Sequence, residues 1–264
     1  GDFFPLQRKK GAQIQKGSVG TFACCVYMET IAFVGSGRNE QPSVYLGSNG
    51  VANKVSTREI DDILEGYTEA QLKLIKLEAR NDRSSQLLYI HLPDQTLVFD
   101  HAASQELGQQ VWCILKSPLG EYRAKYLVYV YNAWHVGDPT STDIGYLSDD
   151  VGSHWGQKVT WSFGTQMVYN ESRGAIFNRL ELTALTGGVA LGDEPLVSTS
   201  YSLDGKNWSQ ERFIGVGSIG NTLKRLVWFR QGKMSNFRMQ RFSGDSDAHV
   251  SFLRLEADLE PLSV

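Results

Sequence analysis

Little in this 264-residue sequence points to chemistry. Cysteine is scarce: Cys24, Cys25 and Cys113 are the only three, with no Cys-x-x-Cys pair. An odd count without framework spacing excludes a disulfide scaffold and predicts reduced, buried thiols in a protein made in a reducing cytoplasm. The five histidines, His91, His101, His135, His154 and His249, offer no H-x-H or H-x-x-x-H pair, so a zinc site has no ligand set to draw on. No G-x-S-x-G elbow is present, and the cysteines lack a basic setting, which leaves no nucleophile signature. Positive charge is not in excess: 26 Lys+Arg against 29 Asp+Glu give a net charge of −3, and no basic stripe is available to neutralise phosphates. The longest apolar runs, 22–28 and 126–131, are far too short to span a bilayer. The chain opens Gly-Asp-Phe-Phe-Pro without Met or a leader-like apolar stretch. It therefore reads as a processed product or a piece of something longer.

What is present favours strands. Aromatics make up 11% of the chain and glycine contributes 26 residues. The first suit pleated, half-buried surfaces and the second the turns between them. A weak repeat runs through the first half. Apolar strands at 31–34, 87–90 and 126–129 are each followed by a short strand centred on an aromatic, at 44–46, 98–100 and 145–147. Strands at 21–27, 73–79 and 111–116 complete the units, at a spacing of roughly 40–50 residues, as in propeller blades. One helix interrupts them near residues 57–65. Ser56-Thr57-Arg58-Glu59 predicts a capping box, Ile60, Ile63 and Leu64 share one face, and Gly66 can end the helix. Thr68–Gln71 could cap a second helix, but the even alternation over 73–79 favours a strand. From about residue 152 the strands lengthen and alternate, at 158–163, 177–186, 196–203, 223–230, 236–242 and 249–259, which suggests a sandwich. The expected fold is all-β: partial propeller blades over 1–152 and a β-sandwich-like domain over 153–264.

Several motifs have plainer readings than their functional ones. Gly215, Gly217 and Gly220 fit G-x-G-x-x-G, but a strand-like segment follows where a dinucleotide site needs a helix. Ser202, Asp204, Gly205 and Trp208 nearly match the Asp-box turn of sialidase-type propellers, one residue short. The favoured reading is a hairpin whose Asp caps amides and whose Trp anchors the core. Asp245, Asp247 and His249 share a face of an extended segment, yet two carboxylates without EF-hand spacing predict a polar turn. Asp61, Asp62 and Glu65 read as a solvated acidic helix face. No catalytic, cofactor-binding or metal residue is assigned.

Three segments carry a family resemblance. Ser43–Gly47 running into Lys54–Leu64 gives a strand, an apolar-Ser-Thr step and a short acidic helix. Ser85–Asp100 with Trp112 beyond gives a blade hairpin ending in an aromatic-Asp step. Val227-Trp228, Asn236–Phe242 and Ala248–Leu259 give closing strands with a Ser246-Asp247 turn. Together they resemble the tail-hub, or packaged-DNA-stabilization, proteins of short-tailed phages that infect enteric bacteria. The resemblance implies a non-enzymatic structural protein of the virion tail, made in the host cytoplasm, without cofactor or membrane. It also implies a six-fold homo-oligomeric ring below the portal and its adaptor ring that retains packaged DNA. Tail needle and tailspike proteins would be its partners, and DNA would pass through the lumen without specific binding. The chain would be a C-terminal portion lacking earlier blades. Such a hub would be a monomer when isolated and join a ring only on the adaptor of a DNA-filled head, which interspersed charges and the net charge of −3 allow. The alternative is a glycan-binding or glycan-hydrolysing propeller, sialidase-like, for which Trp134, Trp155 and Arg173 are candidates that the sequence cannot bring together.

Overall fold

A computed structural model describes residues 11, 13–118, 120–149, 151–186, 194–245 and 250–262. It divides the chain into two compact units, Gly1–Leu147 and Ser148–Val264.

The first unit is built from meanders. Strands β1 (Gly17–Ser18), β2 (Cys24–Tyr27), β3 (Thr30–Ser36), β4 (Ser43–Ser48) and β5 (Val51–Lys54) form one antiparallel sheet, with β1 and β2 sharing an edge of β3. Two helices follow, α1 (Arg58–Glu65) and α2 (Glu69–Leu72). A second sheet runs β6 (Lys76–Asp82), β7 (Ser85–His91) and β8 (Thr96–Asp100), then helix α3 (His101–Leu107) and β9 (Val111–Leu115), in sheet order 6-7-8-9. A third holds β10 (Lys125–Val130), β11 (Ala133–Gly137) and β12 (Ile144–Tyr146). These are the antiparallel blades the repeat implied, with one shift. Segments 31–34 and 87–90 are second strands of their sheets, whereas 126–129 is a first strand.

One core joins the first two sheets. Ala32, Val34 and Val44 meet Ile60 and Leu64 of α1 and Leu77, Leu88, Ile90, Leu97 and Phe99 of the second sheet, all buried. Each such aliphatic or aromatic side chain contributes about 1.5–3 kcal/mol by leaving water. Two long hydrogen bonds cross the same boundary: Trp112 Nε1 donates to Val55 O at 3.0 Å, and Tyr27 OH to Gln86 O at 2.7 Å.

Helices are more numerous than the one expected near 57–65, and their caps differ. Thr57 stands at the N-cap of α1 but makes no side-chain cap bond. Ser56 is used otherwise: its hydroxyl donates to Asp61 Oδ1 at 2.6 Å and accepts from Val44 N at 3.1 Å. Asp61, also paired with Lys54, is buried rather than part of a solvated acidic face. The true capping box is at Thr68 and Gln71, and it opens α2. The strand expected from 73 therefore begins at Lys76. Helix α3 starts at Asp100, whose Oδ1 accepts from Ala103 N at 3.1 Å, and stops at Gly108 with φ of 66°. The cysteines also depart from expectation. Neighbours on a strand face opposite ways, so Cys24 is exposed while Cys25 is half-buried; Cys113 is exposed too.

The second unit is a pair of sheets. Its strands are β13 (Ser153–His154), β14 (Gln157–Lys158), β15 (Trp161–Gly164), β16 (Val168–Tyr169), β17 (Ala175–Leu185), β18 (Leu196–Ser202), β19 (Arg212–Gly215), β20 (Leu226–Phe229), β21 (Lys233–Met234), β22 (Phe237–Gly244) and β23 (Ser251–Pro261). β13 and β14 form a small hairpin of their own. One sheet has the order 15-22-18-19, with β16 also on β22; the other places β20, β21 and β23 on the long β17. Val197 and Phe242 of the first sheet pack on Leu182, Leu226 and Trp228 of the second. That is a sandwich core. Asp204-Gly205 lies in the β18–β19 connection as a hairpin turn, with Gly205 at φ of 73°.

Candidate functional site

Two polar constellations stand out, one in each unit. In the first unit the tight hairpins fix a register that sets His91 opposite both Lys76 and Thr96, with Glu78 diagonal to it. His91 Nε2 lies 2.9 Å from Glu78 Oε2, and Nδ1 lies 2.9 Å from Thr96 Oγ1. Burial pushes His91 below the ordinary imidazole value, against the pull of Glu78. The neutral ring then donates from Nε2 and accepts the Thr96 proton at Nδ1. Burial also works against ionisation of Glu78, but hydrogen bonds from His91 and Lys76 outweigh it and hold the carboxyl below its usual range.

Carboxylate, imidazole and hydroxyl in a row have the order of a nucleophile relay. The access is wrong for one. Thr96 is 0% and His91 3% exposed, so no substrate carbon reaches the hydroxyl. The row acts as a pin instead. Glu78 Oε2 accepts from Tyr126 N at 3.0 Å and so ties the start of β10 to the second sheet. Tyr126 itself sits at φ of 60°, a strained conformation for a side-chain-bearing residue, and the Lys76 ammonium lies 4.0 Å over its ring. Above this pin an open groove of about 530 Å³ is rimmed by Phe22, Leu74, Pro93, Lys125 and Tyr126. A second pin closes the β11–β12 connection. Asp138 accepts from Arg123 Nε at 2.9 Å, Thr140 N at 2.9 Å and Ser141 Oγ at 2.9 Å, and the Arg123 bonds hold its carboxyl far below the usual range.

In the second unit the largest fully buried side chain is a cation, Arg238. Its guanidinium is 4.1 Å from the Phe177 ring and 3.9 Å from the Tyr201 ring, one from each sheet. Its Nε and Nη2 donate to Gln240 Oε1, at 3.1 and 2.8 Å, and its Nη1 donates to Gln231 O at 2.6 Å. Gln240 in turn donates to Thr199 Oγ1 at 2.5 Å. Each of its three nitrogens donates, but to amide oxygens, and burial lowers the guanidinium to about 10. On the far side of Tyr201 a cleft of about 320 Å³ opens, lined by Thr199, Arg212, Arg230 and Gly232 among others.

The described residues among those weighed from the sequence each have a local structural place. Gly215 ends β19, Gly217 and Gly220 have φ of 107° and 79°, and the next element is strand β20, which makes the motif a β-connection. Asp204 accepts from Lys206 N at 2.8 Å and Asn207 N at 2.7 Å, a self-contained turn. Trp208 is half-buried, with the Arg241 guanidinium 4.3 Å over its ring; it is not a core anchor. Asp245 is exposed, while Asp247 and His249 lie outside the described residues, as does the Ser246-Asp247 turn. Trp134 donates to Asn81 O at 3.2 Å, Trp155 contacts His154, and Arg173 pairs with Glu171 at 3.5 Å. Among the described residues no three His, Cys, Asp or Glu gather as a metal site, and no helix is long and apolar enough to cross a membrane.

Two family models match the chain. One is described as the β-propeller of bacteriophage P22 Gp10 and covers residues 1–152; the other is the β-sandwich of the same protein and covers residues 160–260. The tail hub protein gp10 of Salmonella phage P22 is 30% identical over 223 residues, which is 84% of this chain and 46% of that protein. The chain thus spans about half the length of the curated relative it matches. Among solved structures, the exo-β-1,3-galactanase of Phanerochaete chrysosporium with galactose is similar over 89% of this chain and 66% of its own, at 8% identity and a TM-score of 0.19, too low to support any inference. Blades of meander topology followed by a two-sheet sandwich match the order of the two family models, and the chain belongs to the bacteriophage P22 Gp10 family.

Proposed function

We propose that the chain is a non-enzymatic structural part of a phage tail, a portion of the hub below the portal and its adaptor ring. The observation that carries this reading is the 30% identity, across 84% of the chain, to a protein named as a tail hub. The burial of the imidazole and hydroxyl in the relay-like row Glu78–His91–Thr96 supports a scaffold over an enzyme. In this reading copies form a six-fold ring, with propeller blades over 1–152 and the sandwich over 153–264. The ring retains packaged DNA, carries the needle and tailspikes, and lets DNA pass without specific binding. The net charge of −3 suits such a lumen, because a mildly acidic wall does not hold phosphate. The protein is made in the host cytoplasm and ends in the virion tail. Electron microscopy of the chain mixed with portal–adaptor complexes tests this. A new layer of density at the distal end is expected; bare adaptor rings at saturating chain would overturn the reading. A glycan array with a panel of chromogenic glycosides should stay blank.

A further inference from the structure

The second unit contains eight arginines: Arg173, Arg179, Arg212, Arg225, Arg230, Arg238, Arg241 and Arg254. Among the described residues five have a carboxylate within 4 Å: Arg173 with Glu171, Arg179 and Arg225 with Glu181, Arg241 with Glu211, and Arg254 with Glu256. The three left over are Arg212, Arg230 and Arg238; the first two line one cleft, and the third is buried against the ring of Tyr201, which lines it too. A unit that pairs its other five arginines has left positive charge gathered in one place.

The cluster is built rather than incidental. Arg212 is exposed at the start of β19, and its Nη1 donates to Phe229 O at 2.7 Å and Arg230 O at 3.2 Å. One corner of the guanidinium is thereby fixed, and its other N–H groups have no partner among the described residues. Arg230 is exposed, its guanidinium makes no hydrogen bond or ion pair among the described residues, and its backbone, tied to Asn178 O at 2.8 Å, is held at φ of 55°. A side-chain-bearing residue in that region is uncommon and strained. Tyr201 floors the cleft with a hydroxyl that has no partner there, while Arg238, 0% exposed, lies 3.9 Å behind its ring. Glu211 adjoins Arg212 in sequence, but its carboxylate turns to Arg241 at 3.7 Å.

We propose that this cleft is a docking site for a carboxylate carried on an acidic segment of a partner protein. Planar guanidinium forks match a carboxylate with two parallel hydrogen bonds, and a charge approaching Arg238 through one ring relieves part of its uncompensated burial. About 320 Å³ accommodates one or two side chains, which suits a peptide segment. The choice of a protein partner rests on the reading of the chain as a tail hub, since such a part works by holding other proteins.

The test is fluorescence anisotropy of a labelled hexaglutamate peptide with the full chain at low ionic strength, where exposed charges are least screened. Hexaglutamate should bind, hexaglutamine should not, and Arg230→Gln should weaken binding at least tenfold with an unchanged melting temperature. Arg230→Lys should recover part of the loss, and Arg173→Gln, away from the cleft, should change nothing. Equal affinity of Arg230→Gln and the unaltered chain would overturn the proposal, and so would equal weakening by Arg173→Gln, which marks general charge attraction. Displacement of the peptide by inorganic phosphate or glucuronate at lower concentration than by glutamate would overturn the protein partner. The titration needs no other tail component, so its failure leaves the microscopy result standing, and the converse also holds.

Discussion

The two units bury charge in opposite ways. The first sets each buried ion beside an opposite one: Asp61 with Lys54, Glu78 with Lys76 and the His91 ring, Asp138 with Arg123. The second buries Arg238 between two rings and two glutamine groups, with no carboxylate. The locations explain the difference. In the first unit the pairs sit where chain segments must be tied together: β5 to α1, β6 to β10, and the loop before β12. A buried ion there is cheaper with its counter-ion than alone. In the second, Arg238 spans two sheets whose facing residues are aromatic, and a guanidinium is the one cation flat enough to stack between them. Pairing closes a site; stacking leaves net positive charge, and that charge is what the cleft beyond Tyr201 offers.

Mutations should separate the two designs. The largest effect belongs to Arg238→Ala, which empties the space between the sheets and strands Gln240 and Gln231 O. About 3–5 kcal/mol of stability should be lost, comparable to truncating a buried aromatic. Native-state hydrogen exchange should register the loss in the second unit only, and exchange that rose equally in both units would mean that they do not unfold separately. Glu78→Ala should cost the first unit about 2–3 kcal/mol, because His91 and the Tyr126 amide lose a buried acceptor. Exchange should rise first in β10.

Acid should distinguish the units without mutation. The folded-state value of His91 is depressed, so its contribution is full above the ordinary imidazole value of about 6.5 and is lost as pH falls below it. Glu78 and Asp138 are depressed as well, and their contributions are lost only at still lower pH, through the carboxylate range. The value of Arg238 is lowered to about 10, so the group stays protonated in both folded and unfolded chains below that pH and gives no slope there. Between pH 7 and 5 the first unit should weaken, and His91→Gln should flatten the trend. The smallest effect is Trp208→Ala, which removes one half-buried stacking contact with Arg241 and should cost about 1 kcal/mol. A loss as large as that of Arg238→Ala would restore Trp208 as an anchor.

Strands that alternate were legible because their period is two. β22 places core residues at every second position, β17 does so on either side of its bulge, and the Asp-Gly turn marks its hairpin. Helix α1 was visible through Ile60 and Leu64. α2 and α3, four and seven residues long, are too short to show a 3.6-residue period, although Asp100 and Gly108 bracket α3 as cap and stop. The cysteines read as buried thiols, but Cys24 and Cys25 face opposite sides of an edge strand, and only Cys25 is half-buried. The row of Glu78, His91 and Thr96 could have been counted from the two tight hairpins around β7. The arginine cleft could not: Tyr201, Arg212 and Arg230 lie on separate segments, and only three-dimensional pairing reveals which arginines lack a carboxylate.

The exposed face of the third sheet bears on assembly. Val128, Tyr131, Ile144 and Tyr146 are all more than half exposed, and β12 has no further strand beyond it among the described residues. Such an edge invites pairing, whereas a hub that forms only on its adaptor must stay apart until then. Sedimentation velocity of the chain, alone and with adaptor-capped portal, tests the hub reading most directly. The account predicts a monomer at micromolar concentration and co-sedimentation with the capped portal. A tight, discrete oligomer of the free chain, or a chain left behind by the portal, would contradict it.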